Sequence, residues 1–550
     1  MLSKNKFQFP KFRSLSFFII LFLLILSLLF TGCNLISSLN TETTQIEGTA
    51  TSGESEKTKE ELIKEEDAKA KQESIEKEKK DKELMESAQT TQEASMLADN
   101  IKPNGSCDLI IVTPLEFVAA LIPLKDHKNN TGITTKVISL EDIYSNYDGR
   151  DEAEKVKYCI ADYEKTSNIK FAMLVGDADK FPIRYTKTDR ETAAAFNTAF
   201  YGTDFYYADL YKSDGSFDDW DNNKNGFFGE LAGESSTGPL NVDNVDLTPD
   251  IAIGRIPASS IDEVIIYTSK VISYEKNFNS YDWKDNILLI ATKDWIPDIC
   301  LFQDKIARDY LKNKIVYKLY EFVSLYETIS EKEKLDLDIS DEEIQKIAPP
   351  NPQNIIDLIN KGVFIVSHIG HGDINAWINC LYAENFTDMN NTDKLSIFFS
   401  IGCSTGAFCT LPPYDAYIDI NGAYHEGSNY GEIFKTFPPQ PACIQTENNL
   451  EGMGELSIAK ISNGAIGYIG CITGGQYSGV ELSKYFFESL TKGSSTLGEM
   501  WNYSIMKYYD VVEFPKNLEI PDWYLVASFH QPWKYFLFGD PSLRVNTEDK

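Results

Sequence analysis

The sequence predicts an α/β fold built on a mainly parallel sheet. Three observations carry that reading. Short apolar runs rich in Ile, Val, Leu and Phe recur along the chain. Segments with one apolar side, spaced as in a helix, separate them. Glycine-rich turns close several of the runs. A run apolar at every position suits a strand buried on both faces, as in parallel sheets. Strand–helix alternation then places helices on both faces of that sheet. At 550 residues, with roughly 150 residues per domain, the chain has room for about two to four units.

The chain opens with a basic stretch, Lys4, Lys6, Lys11 and Arg13, followed by an apolar run from Phe17 to Phe30 broken only by Ser27. The run is too short for a comfortable membrane span and has the layout of an export signal. It ends at Phe30-Thr31-Gly32-Cys33, which resembles the bacterial lipobox although Phe30 stands where Leu is usual. That resemblance implies cleavage after residue 32 and lipidation of the Cys33 thiol. A plain membrane anchor or an ordinary signal peptide are the alternatives, and each puts the body of the protein outside the cytoplasm. Residues 33–103 follow, with a mixed Lys/Glu run from Glu54 to Glu86 and no continuous apolar stripe. Such a segment reads as a solvated tether, or alternatively as a propeptide.

The folded part begins near Cys107. Leu109–Val112 is a strand, Pro114–Lys128 a helix, Thr134–Ser139 a strand, Asp151–Thr166 a helix and Phe171–Gly176 a strand. A polar, aromatic and acidic stretch from Tyr201 to Val245 interrupts the pattern. We assign 104–245 to a first α/β subdomain and 246–550 to a second. In the second, Asp250–Gly254, Asn286–Ala291 and Ile315–Tyr320 are strands, with helices at Ser260–Lys276 and Gln303–Lys314. A helix at Asn354–Lys361 leads into a strand at Val363–Ser367, and Leu395–Ser400 is the next strand. After an insertion from Thr410 to Thr446 come a helix at Met453–Asn463, a last core strand at Gly464–Gly470 and a final helical section. No repeat of solenoid length is present.

The net charge of −31 argues against a general nucleic-acid binder, which needs a basic footprint. An exported compartment permits disulfides among the cysteines after Cys33, and the absence of a CxxC pair argues against a zinc ribbon.

Two strand ends carry chemistry. One leads into His368-Ile369-Gly370-His371-Gly372-Asp373, with Trp377 close behind. The other leads into Gly402-Cys403-Ser404-Thr405-Gly406. Catalytic groups in open α/β sheets sit just past the carboxyl ends of strands. An imidazole and a thiol at one sheet edge are the minimum for a cysteine nucleophile with its base. Glycine on both sides of His371 exposes the ring, and the Gly372 N–H can point at a substrate carbonyl oxygen. His368 with His371 is a weak metal fragment, since no third ligand lies nearby in sequence. Cys471, in the echo Ile469-Gly470-Cys471-Ile472-Thr473-Gly474, competes with Cys403, and spacing alone does not choose between them.

A third constellation is Asp221, Asn223, Asn225 and Gly226, the start of a calcium loop. Phe227 would offer its carbonyl at the seventh position. Ala232 stands where the twelfth-position acid belongs, and Glu230 is the candidate substitute. The expected cofactor is thus a structural calcium ion, with no organic cofactor. An acidic turn with Asx hydrogen bonds is the alternative.

The ordered segments resemble the gingipain-type cysteine peptidases, peptidase family C25. The resemblance rests on Gly370-His371-Gly372-Asp373 with Ala376-Trp377, on Gly402-Cys403 about thirty residues later, and on Leu174-Val175-Gly176-Asp177. It also rests on Pro249-Asp250-Ile251-Ala252-Ile253-Gly254-Arg255-Ile256-Pro257-Ala258 and on Phe538-Gly539-Asp540-Pro541-Ser542-Leu543. It implies a caspase-like α/β/α sandwich of two side-by-side subdomains. It implies Cys403 as nucleophile, His371 as base and Asp250 as the acid that orients it, where relatives often carry Glu. The N–H groups of Gly372 and Cys403 would form the oxyanion hole, and Cys471 becomes a structural cysteine. Family members commonly prefer basic P1 residues, which makes Asp262, Glu263 and Trp377 candidates for the substrate pocket. Equally, Asp262 and Glu263 are ordinary acids on the first turn of a helix. The expected partners are protein or peptide substrates and a membrane, through the lipid anchor. The rival readings are a non-catalytic surface lipoprotein and a hydrolase or transpeptidase on the same scaffold. The chain ends soon after the last of these segments, so the immunoglobulin-like and sorting domains of gingipains are not expected.

Overall fold

The computed structural model describes residues 91–188, 200–232, 237–292, 298–321, 323–409 and 452–546, with short strand backbones between 417 and 443. The signal segment, Cys33 and the charged run lie outside the described residues. All the described elements belong to one compact unit, Lys77–Lys550.

Ten strands form one sheet. They are β1 (Leu109–Thr113), β2 (Thr135–Ser139), β3 (Phe171–Val175), β4 (Ala252–Ile256), β5 (Asn286–Ala291), β6 (Ile315–Tyr320), β7 (Ile365–Ile369), β8 (Ser396–Ser400), β9 (Ala465–Cys471) and β10 (Tyr535–Gly539). Their order across the sheet is β6-β5-β7-β8-β9-β10-β4-β3-β1-β2. The helices used below are α1 (Val118–Asn130), α2 (Glu152–Ser167), α3 (Ile261–Asn277), α4 (Ile299–Tyr310), α5 (Pro352–Lys361), α6 (Val480–Thr491) and α7 (Leu497–Val511). Strands β1, β3, β4, β7, β8, β9 and β10 are buried at every position. That is why they read as continuous apolar runs rather than as alternating ones.

β1 to β4 pair in parallel with one another. So do β5 to β9. The two groups form the side-by-side halves of an α/β/α architecture, and β10 joins them. It runs antiparallel to β9 and meets β4 at Phe538 and Arg255. Side-chain caps fix the helix starts that feed the strands: Asp151 for α2, Ser260 for α3 and Asn351 for α5.

The structure departs from the sequence reading at three points. β4 pairs with β3, so it completes the first half of the sheet, and no break in the sheet falls at 245/246. β10 is a core strand where the sequence suggested only a final helical section. The helix expected at Met453–Asn463 is a single α turn, Met453–Glu455, continued by a π-helical stretch, Leu456–Lys460.

Candidate active site

Register positions the two key residues. In the β7–β8 pair, His368 stands opposite Ser400, and the N–H of Ile401 donates to the His368 carbonyl at 2.9 Å. Counting three residues onward on each strand reaches His371 and Cys403. Parallel pairing therefore delivers both side chains to one edge of the sheet. The loops that carry them touch. A Cβ placed on Gly372 would lie 2.5 Å from Thr405 Cγ2 and 2.7 Å from the Cys403 carbonyl oxygen. Only glycine lets these backbones approach so closely.

His371 begins a small hairpin in which Gly372–Asp373 pairs with Ala376–Trp377, and its carbonyl accepts the Ile378 N–H at 3.0 Å. His371 and Cys403 are both half-buried. Ser404, directly after the thiol, has φ +55°, a left-handed conformation uncommon for a residue with a side chain. Ser404 N–H donates to the Thr473 carbonyl at 2.9 Å, which holds that turn. The Cys403 Sγ accepts the Gly475 N–H at 3.3 Å. Burial pushes the thiol upward from its ordinary pKa. The Gly475 N–H, the Lys534 ammonium and the cysteine's own amide pull it back, and Asp373 opposes them.

The competitors of the central pair are in the core. His368 is fully buried, stacks on Trp377 at 4.7 Å and bonds Ser400 Oγ through Nδ1 at 2.9 Å. Burial, with a contribution from His371, pushes its pKa down to about 3. Cys471 is fully buried at the end of β9, and burial pushes its thiol up to about 12.

Three expectations are corrected. Asp250 is not brought to His371. It stands just before β4, and its carboxylate accepts the N–H groups of Leu210 at 2.6 Å and Tyr211 at 2.9 Å. It lines a cavity of about 610 Å³ with Phe171, at the start of β3, and Lys492, just past α6. Phe408, five residues after Cys403, packs instead against Arg255 toward the far end of β4. Trp377 is no pocket wall: it is wholly buried, and its indole N–H donates to the Tyr468 hydroxyl at 3.0 Å. Asp262 is exposed on the first turn of α3. Its neighbour Glu263 pairs with Lys460 at 3.0 Å. Both acids hold the ordinary position for carboxylates at a helix start.

The calcium-loop residues converge, but on one another. Asp221 accepts Arg150 at 2.8 Å and the amides of Asn225 at 2.9 Å and Gly226 at 3.2 Å. The Asn225 side-chain oxygen accepts the Phe227 N–H at 2.9 Å. Glu230 pairs with Lys187 at 2.7 Å and accepts the side-chain amides of Asn223 and Asn225. Protein cations thus neutralise both carboxylates. Among the described residues, no group of three or more His, Cys, Asp or Glu side chains is arranged to hold a metal ion. The donors of this turn are thus engaged by protein partners.

Sequence reasoning missed Gly475 and Lys534. The glycine pair after Cys471 was a faint signal, whereas nothing in the sequence links residue 534 to residue 403.

Comparisons with known proteins agree with this architecture. Gingipain R2 of Porphyromonas gingivalis (strain ATCC BAA-308 / W83) is 22% identical over 312 residues, which is 56% of this chain and 33% of the relative. The chain thus spans about a third of the length of that curated relative. An uncharacterised protein of Archaeoglobus fulgidus is 23% identical over 323 residues, 54% of this chain and 66% of the relative. Among solved structures, the complex of Porphyromonas gingivalis RgpB pro- and mature domains superposes with a TM-score of 0.52 at 18% identity, covering 80% of this chain and 81% of that one. The Arg-specific cysteine proteinase gingipain R superposes with a TM-score of 0.50 at 17% identity, covering 82% and 80%. At these identities the structures speak for the fold alone. The model of peptidase family C25 matches residues 102–546, most of the chain, and with it the chain belongs to peptidase family C25.

Proposed function

We propose that this chain is a cysteine peptidase whose nucleophile is Cys403 and whose general base is His371. The observation that carries the reading is the contact of the two loops. Parallel register sets His371 and Cys403 level, and Gly372 lies against Gly402–Cys403. Family membership supports protein or peptide substrates.

In this mechanism the Cys403 sulfur attacks the scissile carbonyl carbon and His371 takes the thiol proton. The carbonyl π electrons move to oxygen, where the N–H groups of Gly372 and Cys403 receive the charge. Collapse breaks the C–N bond while the imidazolium returns its proton to the leaving amine. Water then attacks the thioester with His371 as base and releases the carboxylic acid and the free thiol. The reading uses a dyad; Asp250 has no part in it. The turn at 221–230 is taken as closed by Arg150 and Lys187, which supply the positive charge a calcium ion would bring.

We also place the protein outside the cytoplasm, lipid-anchored through Cys33. The basic start, the apolar run and Thr31-Gly32-Cys33 support this. Among the described residues, no helix is long and apolar enough to cross a membrane.

Incubation with a broad peptide library tests the activity. Wild type is expected to cleave, and Cys403→Ala and His371→Ala are expected to lose cleavage. Hydrolysis that persists in Cys403→Ala would overturn the assignment.

A further inference from the structure

A buried lysine stands behind the nucleophile with no part in the dyad. Lys534 is wholly buried and directly precedes β10. Its Nζ lies 3.5 Å from the Gly474 carbonyl oxygen, and its own carbonyl accepts the Ile472 N–H at 2.8 Å. The next group along the chain is the Gly475 N–H, which donates to the Cys403 sulfur at 3.3 Å. The Gly474 carbonyl and the Gly475 N–H are the two ends of one peptide plane. A cation therefore faces the negative end of a peptide dipole whose positive end faces the thiol. Polar groups aligned this way strengthen one another, more so where water is excluded. The same segment is pinned to the nucleophile loop from the other side, where the Thr473 carbonyl accepts the Ser404 N–H at 2.9 Å.

We propose that Lys534 is a positioning residue that holds the Gly474–Gly475 peptide against Cys403 and so favours the thiolate. The inference rests on Cys403 being the nucleophile, and it adds a cation that the dyad does not contain. The lysine forms no bond to substrate; it acts through the peptide. The other titratable groups around the thiol are His371 on the facing loop, Asp373 on its hairpin, Cys471 at the end of β9 and Tyr535 at the start of β10. Asp373 works against the thiolate. Cys471 and Tyr535 are buried, and burial keeps both neutral at working pH.

The test is the pH dependence of Cys403 alkylation by iodoacetamide, which needs no knowledge of the substrate. Of the seven free cysteines described, Cys403 alone is not buried, and Cys403→Ala supplies the background. Lys534→Gln is expected to raise the alkylation midpoint by about one pH unit and to slow alkylation roughly tenfold below it. The acid limb of the peptidase rate should move with it. Lys534→Arg keeps the charge and is expected to restore the wild-type midpoint. If Lys534→Gln does not fold, Gly475→Pro replaces it: the donor is deleted, the lysine stays, and the midpoint must again rise. An unchanged midpoint in a folded Lys534→Gln, or in Gly475→Pro, overturns the proposal. Failure of the parent reading looks different, because hydrolysis then survives in Cys403→Ala whatever residue 534 is.

Discussion

Replacing Gly372 by alanine adds one methyl group where the His371 and Cys403 loops meet. That methyl would fall 2.5 Å from Thr405 Cγ2, 2.7 Å from the Cys403 oxygen and 2.9 Å from the Gly402 carbonyl carbon. Two of these three atoms are backbone, so no rotamer change relieves the clash. An ordinary contact near 3.4 Å or more requires the loops to part by about 0.5–0.9 Å. Overpacking of this kind costs about 1–3 kcal/mol of stability. Its larger effect is on the chemistry, because a displacement near 1 Å between reacting groups costs about a hundredfold in rate. Gly372→Ala is therefore expected to lower kcat/KM about a hundredfold, about 2.7 kcal/mol, while urea unfolding shows a smaller loss. A variant that keeps kcat/KM within threefold of wild type, with an unchanged unfolding midpoint, would refute the loop contact on which the site is built.

Arg255 lies wholly buried and grips Asp204 through Nε at 2.7 Å and Nη2 at 2.6 Å. Arg255→Met leaves that carboxylate buried and unpaired, so a loss of about 3–5 kcal/mol is expected in chemical denaturation. A loss under 1 kcal/mol would contradict the pair. His368 takes up a proton near pH 6.5 when unfolded but only at about 3 when folded. The unfolded chain binds more protons in that window, so stability falls as pH drops from 6.5 toward 3. At pH 4.5 the group accounts for about 2–3 kcal/mol of that fall. His368→Phe, which keeps an aromatic ring on Trp377, should show a correspondingly shallower loss; an identical slope would refute the burial argument. The turn at 221–230 is closed by Arg150 and Lys187, so millimolar calcium is expected to leave Tm unchanged. A rise of several degrees on adding calcium would show an ion displacing those cations.

Much of the fold was legible because the central strands are buried on both faces and read as unbroken apolar runs. β10 was not, because Tyr535–Gly539 follows a helical section and nothing local marks it as returning antiparallel to the middle of the sheet. The neighbourhood of His371 and Cys403 was legible for a geometric reason: both follow strands that pair in parallel and so end on one side. Asp250 was misjudged because its carboxylate is taken up by the N–H groups of Leu210 and Tyr211, some forty residues earlier in the chain. The turn at Asp221 was recognised from its spacing, but Arg150, which neutralises it, lies 71 residues away in sequence. Trp377 read as a pocket wall from its place after His371, whereas a two-residue hairpin strand folds it inward beneath His368. Lys534 was invisible for the reason β10 was.

The Cys403 sulfur is proposed here as the atom that attacks the substrate carbonyl. That role is tested most directly by trapping the wild-type enzyme with a peptidyl acyloxymethyl ketone set and locating the adduct by tandem mass spectrometry. A single thioether on Cys403 is expected, lost in Cys403→Ala and slowed in His371→Ala. An adduct on Cys471, or on no cysteine while peptides are still cleaved, would contradict it.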